Sequence, residues 1–183
     1  MKQLVKFLYE SGLLKNVKRS GWSLLGIPSP ESVADHSYRT AVIGYFLAKM
    51  EGANPHKITT MCVFHDIQET RLGDLHKVGR RYLSFKEIER NVLKDQISFD
   101  RELFSQMEEC QKRESKEAKI VRDADLLENI LQAREYINVG YKDAQNWIEN
   151  AKKLLTTDSA KKLVMEIENI SPNEWWDGLK KID

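Results

Sequence analysis

The sequence predicts an all-α protein of about eight or nine helices, and three observations carry that expectation. No segment alternates apolar and polar residues over six or more positions between turn residues, so strand signals are missing. Apolar residues recur instead at helical spacing, as at Ile120, Ala124, Leu127, Leu131 and Ile137. Start and stop signals bracket those stretches: Asn54-Pro55 sets an N-cap before a first-turn proline, and Gly140 follows the longest stripe.

In chain order, residues 2–16 carry Leu4, Phe7, Leu8 and Leu14 at helical spacing, with lysines on the other side. The stretch from Lys18 to Pro30 holds two Gly and two Pro and is expected to be irregular. Ser29-Pro30-Glu31 is read as the start of a second helix, with Pro in the first turn, running to about Met50 before Gly52. A third helix starts at Asn54-Pro55, reaches Arg71 and stops at Gly73. Ser84 with Glu87 reads as a capping box opening a helix over about 85–97. Leu103, Phe104, Met107 and Cys110 mark an amphipathic helix over about 101–113, and the clearest long helix spans about 116–138. Two more are expected near 143–155 and 158–170, followed by a short Trp175-Trp176 segment whose rings are read as packing.

The chain has 183 residues, of which 41% are hydrophobic and 31% charged, enough to bury a full core. Basic and acidic residues number 29 and 28, so no global field argues for a nucleic-acid or membrane partner. The longest apolar run, Ala41 to Ala48, is too short to cross a bilayer, and the N-terminus lacks the uninterrupted apolar core of a signal peptide. Two cysteines, Cys62 and Cys110, without CxxC spacing exclude a disulfide scaffold or a cysteine zinc site and fit a cytoplasmic location. With no repeat or linker, one domain is expected over residues 1–183. Its motif-bearing core covers about 19–133, and the C-terminal helices over about 143–180 pack on it.

Chemistry concentrates at a few positions. On a continuous third helix, His65, Asp66 and Glu69 share an arc of about 100°. The same helix needs Ile58, Met61, Cys62 and Phe64 for its apolar face, so part of that polar arc approaches the core, where an ionised carboxylate needs a cation or donor. His36 lies in line with Thr40, Ile43, Leu47 and Met50, an inward stripe, and Asp125 lies beside the apolar stripe of the long helix. Two imidazoles and two carboxylates suit a divalent ion such as Mn, Co, Fe or Zn better than Ca. Taken singly, each has a plainer reading: a core histidine for His36, a surface residue for Glu69, a solvated charge or intrahelical pair for Asp125. His56 and His76 carry no functional assignment. The joint pattern changes the weighing.

That pattern resembles the HD-domain superfamily of metal-dependent phosphohydrolases. His36, then His65-Asp66, then Asp125 has the order of the H…HD…D signature. Glu31 to Ser37 (ESVADHS), HDIQE at 65–69, Gly73-Asp74, DADLLEN at 123–129 and Arg19-Ser20-Gly21-Trp22 resemble the 5′-deoxynucleotidase branch, the YfbR-like proteins. The resemblance implies His36, His65, Asp66 and Asp125 as ligands of one divalent metal ion (Mn, Co, Fe, Zn or Mg) and Glu69 as an acid/base residue. It also implies a phosphate contact for Arg19, a nucleoside-side contact for Trp22 and a substrate-site role for Asp74. Two residues separate Arg19 and Trp22 here, whereas some bacterial relatives have them adjoining. Asp74 also has two structural readings, a helix-end turn residue or the N-cap of a segment Leu75 to Arg81.

The implied activity is metal-dependent hydrolysis of (deoxy)nucleoside 5′-monophosphates to nucleoside and phosphate, in a homodimer to which the aromatic C-terminal segment offers an apolar surface. Two rivals stand beside it. One is phosphodiester or pyrophosphate hydrolysis by the same kind of site, although Thr70 follows Glu69 where those branches carry HDxxED. The other is a non-catalytic metal- and nucleotide-binding module, which needs neither Glu69 nor Arg19. Arg80-Arg81 is a small basic pair, read as solvated or as a second anion contact.

Overall fold

A computed structural model of the protein describes residues 1–84 and 86–179. Among these residues the α-helices are α1 Lys2–Ser11, α2 Val33–Met50, α3 Pro55–Phe64, α4 Glu69–Leu72 and α5 Lys77–Arg80, then α6 Lys86–Ile97, α7 Arg101–Lys112, α8 Lys116–Asn138, α9 Gln145–Lys152 and α10 Asp158–Asn169. Short 3-10 turns occupy Gly12–Lys15, Ser20–Leu25, Lys142–Ala144 and Glu174–Trp176. No strand occurs among the described residues; a single antiparallel bridge joins Lys18 and Ser32. The all-α expectation therefore holds. The helix count rises because the stretch read as one helix to Arg71 divides into α3 and α4, and because α5 forms within 75–81.

Caps fix most boundaries. Asn54 accepts the backbone N–H groups of His56 and Lys57 at 3.0 and 3.2 Å, starting α3 where expected. The expected start of α2 at Ser29-Pro30 is corrected: Ser32 caps it, accepting the Asp35 N–H at 3.1 Å while the Asp35 carboxylate accepts the Ser32 N–H at 2.9 Å. Asp100, Ser115 and Thr157 cap α7, α8 and α10. The expected start of α6 at residue 85 lies outside the described residues.

α8 is the central helix, with α2, α3, α7, α9 and α10 packed around it. Its apolar residues are not confined to the one stripe expected: Val121, Leu126 and Ile130 are buried as fully as Ile120, Ala124 and Leu127. α2 and α3 meet closely at Gly44, where an added Cβ would lie 2.5 Å from Cys62 Sγ and 3.3 Å from Ile58. Glycine here sets the spacing of α2, which carries His36, and α3, which ends just before His65. Asp123, fully buried on α8, accepts the N–H groups of Thr156 and Thr157 at 3.0 and 2.7 Å and so holds the α9–α10 turn to the core.

Two packing expectations need correction. In α1 only Phe7 turns inward, with Leu14 buried just beyond it, while Leu4 and Leu8 stay exposed. Trp175 and Trp176 do not pack into the core; Trp175 is 76% exposed. The segment after Lys18 is more ordered than its composition suggests. It closes on itself through the Arg19 N–H to Glu31 O (3.0 Å) and Val33 N–H to Val17 O (2.8 Å) bonds, which bring Arg19 back to the start of α2.

Candidate metal centre and its cleft

The HD pair sits where a helix breaks. α3 ends at Phe64, and His65 to Gln68 form a turn with bonds three residues apart, from Ile67 N–H to Phe64 O and from Glu69 N–H to Asp66 O, at 3.1 and 3.0 Å. The expectation that His65, Asp66 and Glu69 share an arc of one continuous helix is thus corrected. The break has a use: His65 Nδ1 donates to Cys62 O at 2.7 Å, satisfying a carbonyl at the end of α3 and fixing the ring.

Three separate segments nevertheless converge. His36 Nε2 lies 3.4 Å from Asp125 Oδ1 and 3.8 Å from Asp66 Oδ2, and His65 Nε2 lies 3.1 Å from Asp66 Oδ2. Ligand-type atoms of His36, His65 and Asp66 all fall within 4.8 Å of one another, and Asp125 reaches the group through His36. Both Nε2 atoms are buried and have no hydrogen-bond partner. Their tautomers follow from the opposite nitrogens. His36 Nδ1 meets the fully buried Glu128 carboxylate, which also takes Arg39 Nε and Nη2 at 3.0 and 2.8 Å. With each Nδ1 donating, each Nε2 presents a lone pair to Asp66 and Asp125, an N2O2 donor set that fits a divalent cation.

The electrostatics agree. Burial and Arg19 push the His36 pKa down, but the Asp125 and Glu128 carboxylates outweigh them and raise it to about 9. The field that draws a proton to Nε2 draws a doubly charged cation more strongly, so the two compete for that lone pair. Burial alone would raise Asp66 and Asp125; the facing histidines, joined by Arg19 and Arg122 respectively, hold both carboxyls below the usual range. Arg122 pairs with Asp125 one turn away, so the intrahelical reading of Asp125 is also true.

Arg19 bridges this cluster to the cleft. Its Nη1 lies 3.7 Å from Asp66 and 3.9 Å from Asp74, and its Nη2 donates to Asn129 Oδ1 at 2.9 Å. Asp74 is not an N-cap: His76 caps α5 by accepting the Gly79 N–H, while Asp74 accepts the Ser20 N–H and faces Arg19. Glu69 is buried with Arg80 Nη2 at 3.8 Å, and its Oε2 lacks a hydrogen-bond partner. Burial, then Asp66 and Asp74, push its carboxyl well above the usual range. Trp22 is only 1% exposed, donates Nε1–H to Glu31 Oε1 at 2.9 Å and stacks on Trp147 with ring centroids 5.6 Å apart. It lines the cleft beside Trp147 with little of its surface exposed.

Asp66, Glu69, Arg19, Asp74 and Asp125 all border one cleft of about 500 Å³, a size suited to a small organic ligand. Sequence reasoning assigned no role to Glu128, Asn129 or Trp147. Glu128 did leave a signal, since it follows Asp125 by one helical turn and interrupts the apolar run of α8. Trp147 left none, because nothing in its own segment marks it. His56 stays at the exposed start of α3, away from the cleft.

The chain is 31% identical to the 5′-deoxynucleotidase HDDC2 of Bos taurus and to that of Homo sapiens, each over 178 residues covering 91% of this chain and 85% of the relative. A conserved hypothetical protein from Pyrococcus furiosus superposes with a TM-score of 0.77 at 33% identity, over 91% of this chain and 99% of the other. The HD domain matches residues 11–168, which contain every residue of the cluster and cleft described above, and the chain belongs to the HD-domain family.

Proposed function

We propose that the protein is a divalent-metal-dependent phosphomonoesterase that hydrolyses (deoxy)nucleoside 5′-monophosphates to nucleoside and phosphate. The observation that carries this reading is the pair of buried, partnerless imidazole nitrogens facing Asp66 and Asp125 beside a nucleotide-sized cleft. The 5′-deoxynucleotidase relatives support the choice of substrate. His36, His65, Asp66 and Asp125 would hold one ion, with Mn, Co, Fe, Zn or Mg all compatible with an N2O2 set that leaves coordination positions free. Such an ion, when bound, withdraws charge from phosphoryl oxygens and lowers the pKa of water.

The chain's own residues do the rest. Arg19 grips the phosphate through its planar fork, exchanging its present acidic neighbours for phosphoryl oxygens. Asp74 orients Arg19 and the Ser20 backbone at the substrate's edge. Glu69 is the proton carrier: buried beside the cluster with its Oε2 unpartnered, it would take the proton released by the attacking water and pass one to the departing 5′-oxygen. Positioning and charge stabilisation dominate such a reaction. The whole chain acts as one unit in this reading, because α9 completes the wall that the Ser20–Leu25 turn, α4, α5 and α8 begin.

Incubation with Mn or Co and a nucleotide panel, with free phosphate measured, tests the proposal. Release from 5′-monophosphates is expected. Turnover confined to cyclic or pyrophosphate substrates would move the assignment to another phosphohydrolase chemistry, and no turnover with any metal would leave a binding module. A second expectation concerns Glu128, which orients His36. Glu128→Gln should weaken Mn binding about 10- to 100-fold by isothermal titration, while saturating metal restores most of the turnover.

The protein is further proposed to form homodimers through α2. Tyr38, Val42, Phe46 and Met50 lie at successive i, i+4 positions and are 73%, 42%, 57% and 51% exposed, an apolar ridge that soluble monomers rarely display. Light scattering should give twice the 21.3 kDa chain mass, and Phe46→Glu should halve it. A cytoplasmic setting fits the free thiols of Cys62 and Cys110. No helix among the described residues is long and apolar enough to cross a membrane.

A further inference from the structure

The cleft wall changes chemistry from one end to the other. Around the metal-type cluster and α5, charged side chains dominate: Arg19, Asp66, Glu69, Lys77, Arg113 and Arg122. The neutral end is formed where α9 contributes Asn146, Trp147, Asn150 and Ala151 to the lining. These are positions i, i+1, i+4 and i+5, one face of a helix. None of them is charged, although the same helix carries Glu149 and Lys152 elsewhere, where they pair with Gln145 and Glu168.

Trp147 is held as a plate. Trp22 stacks behind it at 5.6 Å with the rings 27° from parallel, and Trp22 is itself buried and fixed by Glu31. The side chains of Asn146 and Asn150, and the Trp147 Nε1–H, make no hydrogen bond among the described residues. An immobilised indole flanked by two amides with unused donors and acceptors matches one ligand chemistry, a flat, uncharged heterocycle with polar edges.

We infer that the α9 end of the cleft is a nucleobase subsite, in which Trp147 stacks the base and Asn146 and Asn150 meet its edge. The inference rests on the nucleoside monophosphate reading above and deepens it. The phosphate goes to the charged end and the base to the neutral end, which sets the direction of the bound substrate. Stacking tolerates any base, because each has a π-face. A primary amide donates and accepts, so it can turn to suit purine or pyrimidine edges. The subsite therefore separates nucleotides from sugar phosphates strongly and one base from another weakly.

The test compares the Mn-loaded protein with its Trp147→Leu and Trp147→Phe variants on dAMP, dGMP, dCMP, TMP and 2-deoxyribose 5-phosphate. Trp147→Leu should lower kcat/KM for all four nucleotides about tenfold or more, with the sugar phosphate unaffected, and Trp147→Phe should recover most of the loss. Asn146→Ala and Asn150→Ala should shift the ratios among the four bases by a few-fold. Equal loss on nucleotides and sugar phosphate, or no loss on either, overturns the subsite. A second readout needs no hydrolysis: deoxyadenosine, which has no phosphate, should quench indole fluorescence saturably in the wild type and not in Trp147→Leu. Saturable quenching in a protein that hydrolyses no nucleotide would keep the subsite and remove the proposed reaction. Hydrolysis with neither saturable quenching nor base-dependent loss would do the reverse.

Discussion

Asp66→Ala is expected to strip the protein of its metal and lower phosphate release about a thousandfold or more. Asp66 Oδ2 faces both His65 and His36, so it joins the two imidazoles. The histidines and Arg19 hold its carboxyl below the usual range, so it is ionised at any pH where the protein would work. Removing it takes away one of four donors and the charge that a cation would find between the rings. A bound metal contributes several kcal/mol to charge stabilisation in phosphoryl transfer, and each 1.36 kcal/mol is tenfold in rate. Elemental analysis after dialysis should find about one ion per wild-type chain and almost none in the variant. Arg19 keeps Asn129 and Asp74 as partners, so the fold should survive, which circular dichroism can check. Normal metal content in a folded Asp66→Ala protein would remove Asp66 from the ligand set.

The helices were largely readable in the sequence because caps and stripes are local. Asn54-Pro55 started α3 and the stripe from Ile120 traced α8, both within residues close in sequence. The convergence of His36, His65, Asp66 and Asp125 was readable only as a pattern of residue types. Periodicity describes one helix at a time and is silent on where helices meet. It also misled at the HD pair: apolar spacing continued past Phe64, while the chain turned there through bonds three residues apart. The Ser29-Pro30 signal placed the start of α2 too early, because the cap is fixed by the Asp35 carboxylate returning to the Ser32 N–H. Trp147 lay furthest from reach. Its place in the wall depends on Trp22, 125 positions earlier, stacking behind it, and no local signal encodes such a contact.

Glu69→Gln should retain the metal and the fold yet lose about 10²- to 10⁴-fold in kcat, the range for removing a positioned proton carrier. The two side chains are nearly isosteric, so the buried space is filled in both. The glutamine can neither take up nor give up a proton at this position. Burial and the nearby Asp66 and Asp74 carboxylates already favour a neutral group at this position, so a neutral amide should cost little stability, and the melting temperature should stay within a few degrees. A structural account competes with this one: Glu69 lies 3.8 Å from Arg80 and could serve to hold it. Arg80 also pairs with Glu89 at 3.1 Å, so its position does not depend on Glu69 alone. If anchoring Arg80 were the role, Arg80→Ala would reproduce the full loss. If Glu69 carries the proton, Arg80→Ala should cost far less than Glu69→Gln, and the loss in Glu69→Gln should fall equally on kcat and kcat/KM, the mark of an interaction made only in the transition state. An unchanged kcat in a metal-loaded Glu69→Gln protein would take the proton-carrier role away from this residue.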